Sequence, residues 1–298
     1  MNEEEQVRHL LEEAGPRPEV PPEDLAKIKA AFRAEWQEHV RQRRSPDRRL
    51  WLLAASIVAA LALGWWLWPS PAGPVARAES GMRETVSAGA KVETGDSPAA
   101  FRLAGGSSLR LDAESRVRLV SASEIRLERG AVYLDSEGTG TVAVHTPLGT
   151  VRELGTQFEV RLLGSAVRVR VREGAVSLDG NGTAYKVEAG TELVLHDSGS
   201  VTGGRIAAYG PPWSWVLKAA PPLRIEGLTL EEVLERVARE TGWTVRFEDP
   251  RVAASADEIV VHGDVGHLTP DQALEVVLPG AGLDHRVVDG VLILKAPN

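Results

Sequence analysis

From about residue 83 to residue 210 the chain repeats one pattern, apolar and charged side chains in alternation: RVRLV, EIRLERGAVYLD, TVAVHT, QFEVRLL, AVRVRVREGAVSLD and TELVLHD. A period of two puts every second side chain on one face of an extended strand. Each run therefore predicts a strand with one buried face and one wet face. Glycines interrupt the runs at the short intervals that tight turns need. An echo at an offset of 44 residues adds to this, with Arg126, Gly130, Ala131, Val132, Leu134 and Asp135 recurring as Arg170, Gly174, Ala175, Val176, Leu178 and Asp179. Regular strands with a repeated G-A-V-x-L-D element suggest an all-β domain of stacked hairpins or a short β-solenoid over residues 83–210.

Residues 211–220, containing WSWVLKAA, read as a linker, and beyond them the period turns helical. Thr229 precedes Leu230, Val233, Leu234 and Val237, with Glu232 where a capping box wants it. The theme returns 40 residues later, with Thr269 as N-cap, Pro270 in the first helical position and Gln272 closing the box. Strand-like LRIEG and WTVRF flank the first helix, EIVVHG and LDHRVV the second, and VLILK makes a last strand. Residues 221–298 thus predict a small α+β domain built as a duplicated βαβ unit.

Upstream, Leu50–Trp68 is a run of 19 residues without a formal charge. At ~1.5 Å per residue it is long enough for a ~30 Å hydrocarbon layer. Trp51 stands at one end and Trp65, Trp66 and Trp68 at the other, as interfacial indoles do. Arg41, Arg43, Arg44, Arg48 and Arg49 crowd the N-terminal flank. The expectation is a single-pass membrane protein of the bacterial inner membrane, with residues 1–49 cytoplasmic, 69–82 a linker and the C-terminus periplasmic. An A-x-A pattern at Ala76–Ala78 is compatible with a signal peptide, but a leading region of 49 residues is too long for one. In the short helical tail, Leu25, Ile28, Phe32 and Trp36 fall on one stripe, a surface for packing on the first helix or for docking a partner.

Little in the chain points to turnover chemistry. There is no cysteine, which excludes disulfides, thiolate metal sites and cysteine nucleophiles. Of the seven histidines only His262 and His267 are close, and no third ligand accompanies them. No nucleophile elbow, P-loop or dinucleotide fingerprint is present. With 34 basic against 42 acidic residues, no global field attracts nucleic acid. The reading is a non-enzyme with no cofactor and no metal.

One stretch keeps a chemical option open. HTPLGTVRELGTQF contains Leu-Gly-Thr twice, at Leu148–Thr150 and Leu154–Thr156. A Gly-Thr bond can cut itself if a turn presses the glycine carbonyl toward the threonine hydroxyl. The bland alternative is that glycine makes the turn and threonine suits the strand after it.

Thr146-Pro147-Leu148-Gly149 through Gly155-Thr156-Gln157-Phe158-Glu159-Val160, then VRVREGAVSL and EAGTELVL, resemble the FecR family of membrane-anchored sigma-factor regulators. The final repeat resembles the small signalling domain (STN) found at the start of secretins and TonB-dependent receptors. The resemblance implies cell-surface signalling. The cytoplasmic tail binds an extracytoplasmic-function sigma factor, as an anti-sigma factor or activator, through Leu25, Ile28, Phe32 and Trp36. The periplasmic part then senses a TonB-dependent or secretin-like outer-membrane protein, often in iron uptake. It also implies single-event self-cleavage at Gly155-Thr156, since Phe158 and Val160 continue the motif there; the first copy lacks that continuation. The competing expectation is an envelope scaffold that assembles with secretin-like or cell-wall partners.

Overall fold

The computed structural model describes residues 27, 29–30, 74–79, 85–136, 141–153 and 155–296. The chain divides into two compact units, residues 1–70 and residues 71–298. In the first unit only Lys27, Lys29 and Ala30 are described, all helical and exposed. The stripe Leu25, Ile28, Phe32 and Trp36 lies outside the described residues, as does the apolar run 50–68.

The expected single-pass membrane fold is corrected. The described chain is mostly β-sheet with few helices, and among the described residues no helix is long and apolar enough to cross a membrane. The longest, Leu230–Thr241, has 12 residues. That is about 18 Å, well short of a hydrocarbon core of about 30 Å.

The alternating runs build two sheets. The larger has nine strands, running in space Val201–Arg205, Thr191–His196, Ala166–Glu173, Gln157–Leu163, Ala131–Asp135, Ser108–Leu111, Ala99–Leu103, Pro74–Ala78 and Thr85–Ser87. The smaller has seven: Thr183–Glu188, Ala175–Gly180, Gly149–Glu153, Ala143–Thr146, Glu124–Arg129, Arg116–Leu119 and Lys91–Glu93. Successive hairpins are laid alternately on one sheet and then the other. Leu109, Leu134, Phe158 and Val169 from the larger sheet share one core with Leu119, Leu127, Val151 and Leu178 from the smaller.

This alternation explains the echo in the sequence. Gly130 ends a strand of the smaller sheet and opens one of the larger, while Gly174 makes the reverse crossing. Both have left-handed φ, +80° and +75°. The repeated G-A-V-x-L-D marks corners where the chain changes sheets.

After the last strand of the larger sheet, residues expected as a linker fold against it. Pro211–Trp213 form a 3-10 turn and α1, Ser214–Lys218, follows. Three further helices are α2 (Leu230–Thr241), α3 (Pro250–Ser255) and α4 (Pro270–Gly280). Glu232 accepts from the Thr229 amide and Gln272 from that of Thr269, closing both capping boxes. Thr244–Phe247, Val291–Lys295 and Asp284–Val288 make a three-stranded sheet, the first pair parallel. LRIEG forms no strand. The ladder to Val260–Val261 is made by Leu228–Thr229, and α3 has no counterpart in the other half of the repeat.

Candidate functional site

The two Leu-Gly-Thr copies occupy different places. The first is the bend of a hairpin between Ala143–Thr146 and Gly149–Glu153. Thr146 Oγ1 takes the amides of Leu148 and Gly149 and donates to the Gly149 carbonyl at 2.8 Å. A side chain on Gly149 would press within 2.5 Å of the Asp179 carbonyl, so glycine is required by the close strand behind it. Thr150 Oγ1 lies 3.2 Å from His145 Nδ1 at the part-buried surface. This copy is turn chemistry.

The second copy is a sheet-changing corner. Gly155 has φ +82°, and the chain passes from Gly149–Glu153 of the smaller sheet to Gln157–Leu163 of the larger. The neighbouring corner stacks on it. A Cβ on Gly174 would lie 2.4 Å from the Gly155 carbonyl oxygen and 2.6 Å from Thr156 Cγ2, so only glycine lets the two corners approach. Thr156 is buried, and among the described residues its hydroxyl has no hydrogen-bond partner. A buried, unpaired hydroxyl costs about 1–3 kcal/mol, so its presence calls for a reason.

The backbone of Thr156 is fully engaged. Its amide donates to Ser136 Oγ at 3.0 Å, and its carbonyl accepts from the Ser136 amide at 3.2 Å. The Ser136 hydroxyl also reaches the Thr156 carbonyl, at 3.2 Å. Beside Ser136 sits Glu153, buried on the inward face of its strand and accepting the Val142 amide at 2.7 Å. Burial pushes the Glu153 carboxyl above the usual range; hydrogen bonds from Ser136 and Val142 temper the shift, and the nearby Asp135 charge adds to it. A threonine hydroxyl, a serine relay and a carboxyl held toward its neutral form are thus gathered at one glycyl-threonyl bond.

The strands on either side of this corner are clamped from the C-terminal module. Asp135 precedes Ser136 and Gln157 follows Thr156. Arg239, near the end of α2, pairs with both oxygens of the Asp135 carboxylate, and Gln157 donates at 3.1 Å to Oδ2, which Arg239 Nε also reaches at 3.2 Å. Glu240 carries a second clamp: it pairs at 2.7 Å with Arg110, whose side chain is 1% exposed. Arg172 donates to the Glu240 carbonyl at 2.8 Å and stacks 4.5 Å from the Trp213 ring centroid. Tyr133 meets Trp213 edge to face at 6.1 Å, and burial pushes its phenol up to about 12, so it stays protonated.

Sequence reasoning singled out Gly155 and Thr156 but not Ser136, Glu153, Asp135 or Arg239, which the fold gathers around them. Glu153 left a signal, since alternation with the buried Val151 puts a carboxylate on the core face of a strand. His262 pairs with Glu226 at 2.9 Å, well exposed, and among the described residues no group of His, Asp or Glu could hold a metal. Leu25, Ile28, Phe32 and Trp36 lie outside the described residues.

Against known proteins, residues 90–177 match the family model described as FecR protein. Two crystal structures of a candidate anti-sigma factor from Parabacteroides distasonis are similar at 14% identity and a TM-score of 0.38, covering 70% of this chain and 99% or 100% of theirs. No curated protein matches the chain. The family match ends at residue 177, so it does not extend to the C-terminal repeat. Residues 90–177, with the Gly155–Thr156 corner inside them, are a FecR-family domain.

Proposed function

We propose that this chain regulates an extracytoplasmic-function sigma factor, and that it is cut once, by itself, at Gly155–Thr156. The observation that carries the regulatory reading is the FecR domain over residues 90–177. The cleavage reading is supported by the unpaired, buried Thr156 hydroxyl at a left-handed glycine corner, with Ser136 and Glu153 beside it.

The step balances within the chain. Thr156 Oγ attacks the Gly155 carbonyl carbon, the new C–O bond forms and the Gly155–Thr156 C–N bond breaks. The hydroxyl proton ends on the Thr156 nitrogen, through Ser136 Oγ, which already holds that N–H. The product is an ester with a free amine. Water then hydrolyses the ester to a Gly155 carboxylate and restores the threonine hydroxyl. Glu153 serves the Ser136 relay as proton reservoir.

On this reading the tail residues Leu25, Ile28, Phe32 and Trp36 hold the sigma factor in the cytoplasm. The β domain and the C-terminal module work in the periplasm of a bacterial envelope. Their signal comes from a TonB-dependent or secretin-like outer-membrane protein, iron-chelate receptors included. The test is co-purification of the full chain with a host sigma factor, beside the Phe32→Ala/Trp36→Ala variant. Retention by the wild type and loss from the variant supports the reading; equal recovery of a sigma factor by both removes the stripe, and recovery by neither removes the regulatory role.

A further inference from the structure

A cleft of about 630 Å³ opens where the first strand of the larger sheet meets the C-terminal module. Five arginines line it, Arg77, Arg102, Arg224, Arg236 and Arg239, against two glutamates, Glu79 and Glu240, which leaves an excess of three positive charges. The pairing inside the cleft sharpens this. Glu79 is taken by Arg102 at 2.8 Å, Glu240 by Arg110 at 2.7 Å, and Arg239 by Asp135. Among the described residues no carboxylate pairs with Arg77, Arg224 or Arg236; Arg236 donates instead to the Arg224 carbonyl at 3.3 Å.

One wall of the cleft is residues 221–224. It belongs to a segment with the burial of a strand, Leu223 and Ile225 buried and Arg224 and Glu226 exposed, yet it joins no sheet. Among the described residues the amides from Leu223 to Glu226 make no backbone hydrogen bond. A strand-like segment with unpaired amides beside unneutralised guanidinium groups matches an extended chain that carries carboxylates. Pro221, Pro222 and Pro270 stiffen the walls, so little ordering opposes binding.

We infer that this cleft binds an acidic, extended peptide segment of a partner protein, which lies along residues 221–226 and places its carboxylates on Arg77, Arg224 and Arg236. The proposal rests on neither sigma binding nor cleavage, and its test reads neither. The probe is a labelled six-residue peptide alternating glutamate and valine, titrated into the full-length chain and followed by fluorescence anisotropy. Replacing its glutamates by glutamines is expected to weaken binding roughly tenfold or more, as is Arg77→Glu/Arg224→Glu/Arg236→Glu in the protein. Arg205→Glu, on an exposed edge strand outside the cleft, leaves binding unchanged. Thermal melting checks that the triple variant folds; if it does not, Arg224→Gln alone must weaken binding in the same direction. Equal binding of the glutamine peptide, or unchanged binding by the folded variants, overturns the proposal. So does full displacement by pyrophosphate at equal concentration, which would make the cleft a phosphate site.

Discussion

Arg239 on α2 grips Asp135, the residue next to Ser136, and Ser136 in turn holds both the amide and the carbonyl of Thr156. One side chain of the C-terminal module is therefore two residues away, through hydrogen bonds, from the glycyl-threonyl corner. The seam around it is polar and aromatic, with buried ion pairs and stacked rings, so it depends on partners being complete on both sides.

Removing one partner should expose that dependence. Glu240→Ala strands the Arg110 guanidinium, which is fully buried and otherwise bonded to the Val216 carbonyl. The expected loss is about 3 kcal/mol in chemical denaturation. Adding Arg110→Met should restore much of it, because no charge is then left buried. A double variant as unstable as the single one would show that the seam is held by something else.

The stacked corners give a second comparison. Gly174→Ala combines left-handed strain with contacts of 2.4 and 2.6 Å on Gly155 and Thr156. Gly182→Ala has a similar φ, +74°, but open space around it. Strain alone costs ~1–2 kcal/mol, and overpacking adds ~1–3 kcal/mol. Gly174→Ala should therefore be the more destabilising by at least about 1 kcal/mol, read from denaturation midpoints. Equal losses would mean the corners are not in contact.

Glu153 predicts a pH dependence. Its carboxyl is raised in the folded chain, so the folded state binds the proton more tightly than the unfolded one. Its contribution is fully present below the unfolded value and is lost as pH rises through the folded one. Glutamine does not titrate. Glu153→Gln should gain stability relative to wild type as the pH is raised above about 4, the ordinary glutamate value. A constant difference as the pH rises would place Glu153 outside the buried corner.

The strands were legible because alternation reports burial directly, and the capping boxes because Thr229/Glu232 and Thr269/Gln272 act within one helical turn. The seam was not. Arg110, Tyr133 and Glu159 stand in register across the outer face of the larger sheet, and there the sequence reads as an ordinary wet face. Arg110 and Tyr133 are covered by Trp213, Val216 and α2, 80 or more residues away in the chain, and Glu159 is ringed by Arg161, Arg168 and Arg170 of its own sheet. Likewise Ser136 and Thr156 meet only because two hairpins pair. LRIEG failed for a related reason: its alternation gives burial, not a ladder partner, and the partner strand pairs with Leu228–Thr229 instead.

The measurement that bears most directly on this regulator is the intact mass of the full-length chain, taken beside Thr156→Ala and Thr156→Ser. Wild type and Thr156→Ser should give two fragments, one ending at Gly155 and one beginning at residue 156, and Thr156→Ala a single uncut chain. An uncut wild type, or a Thr156→Ala variant that is cut as fast as wild type, would contradict the role given to the corner.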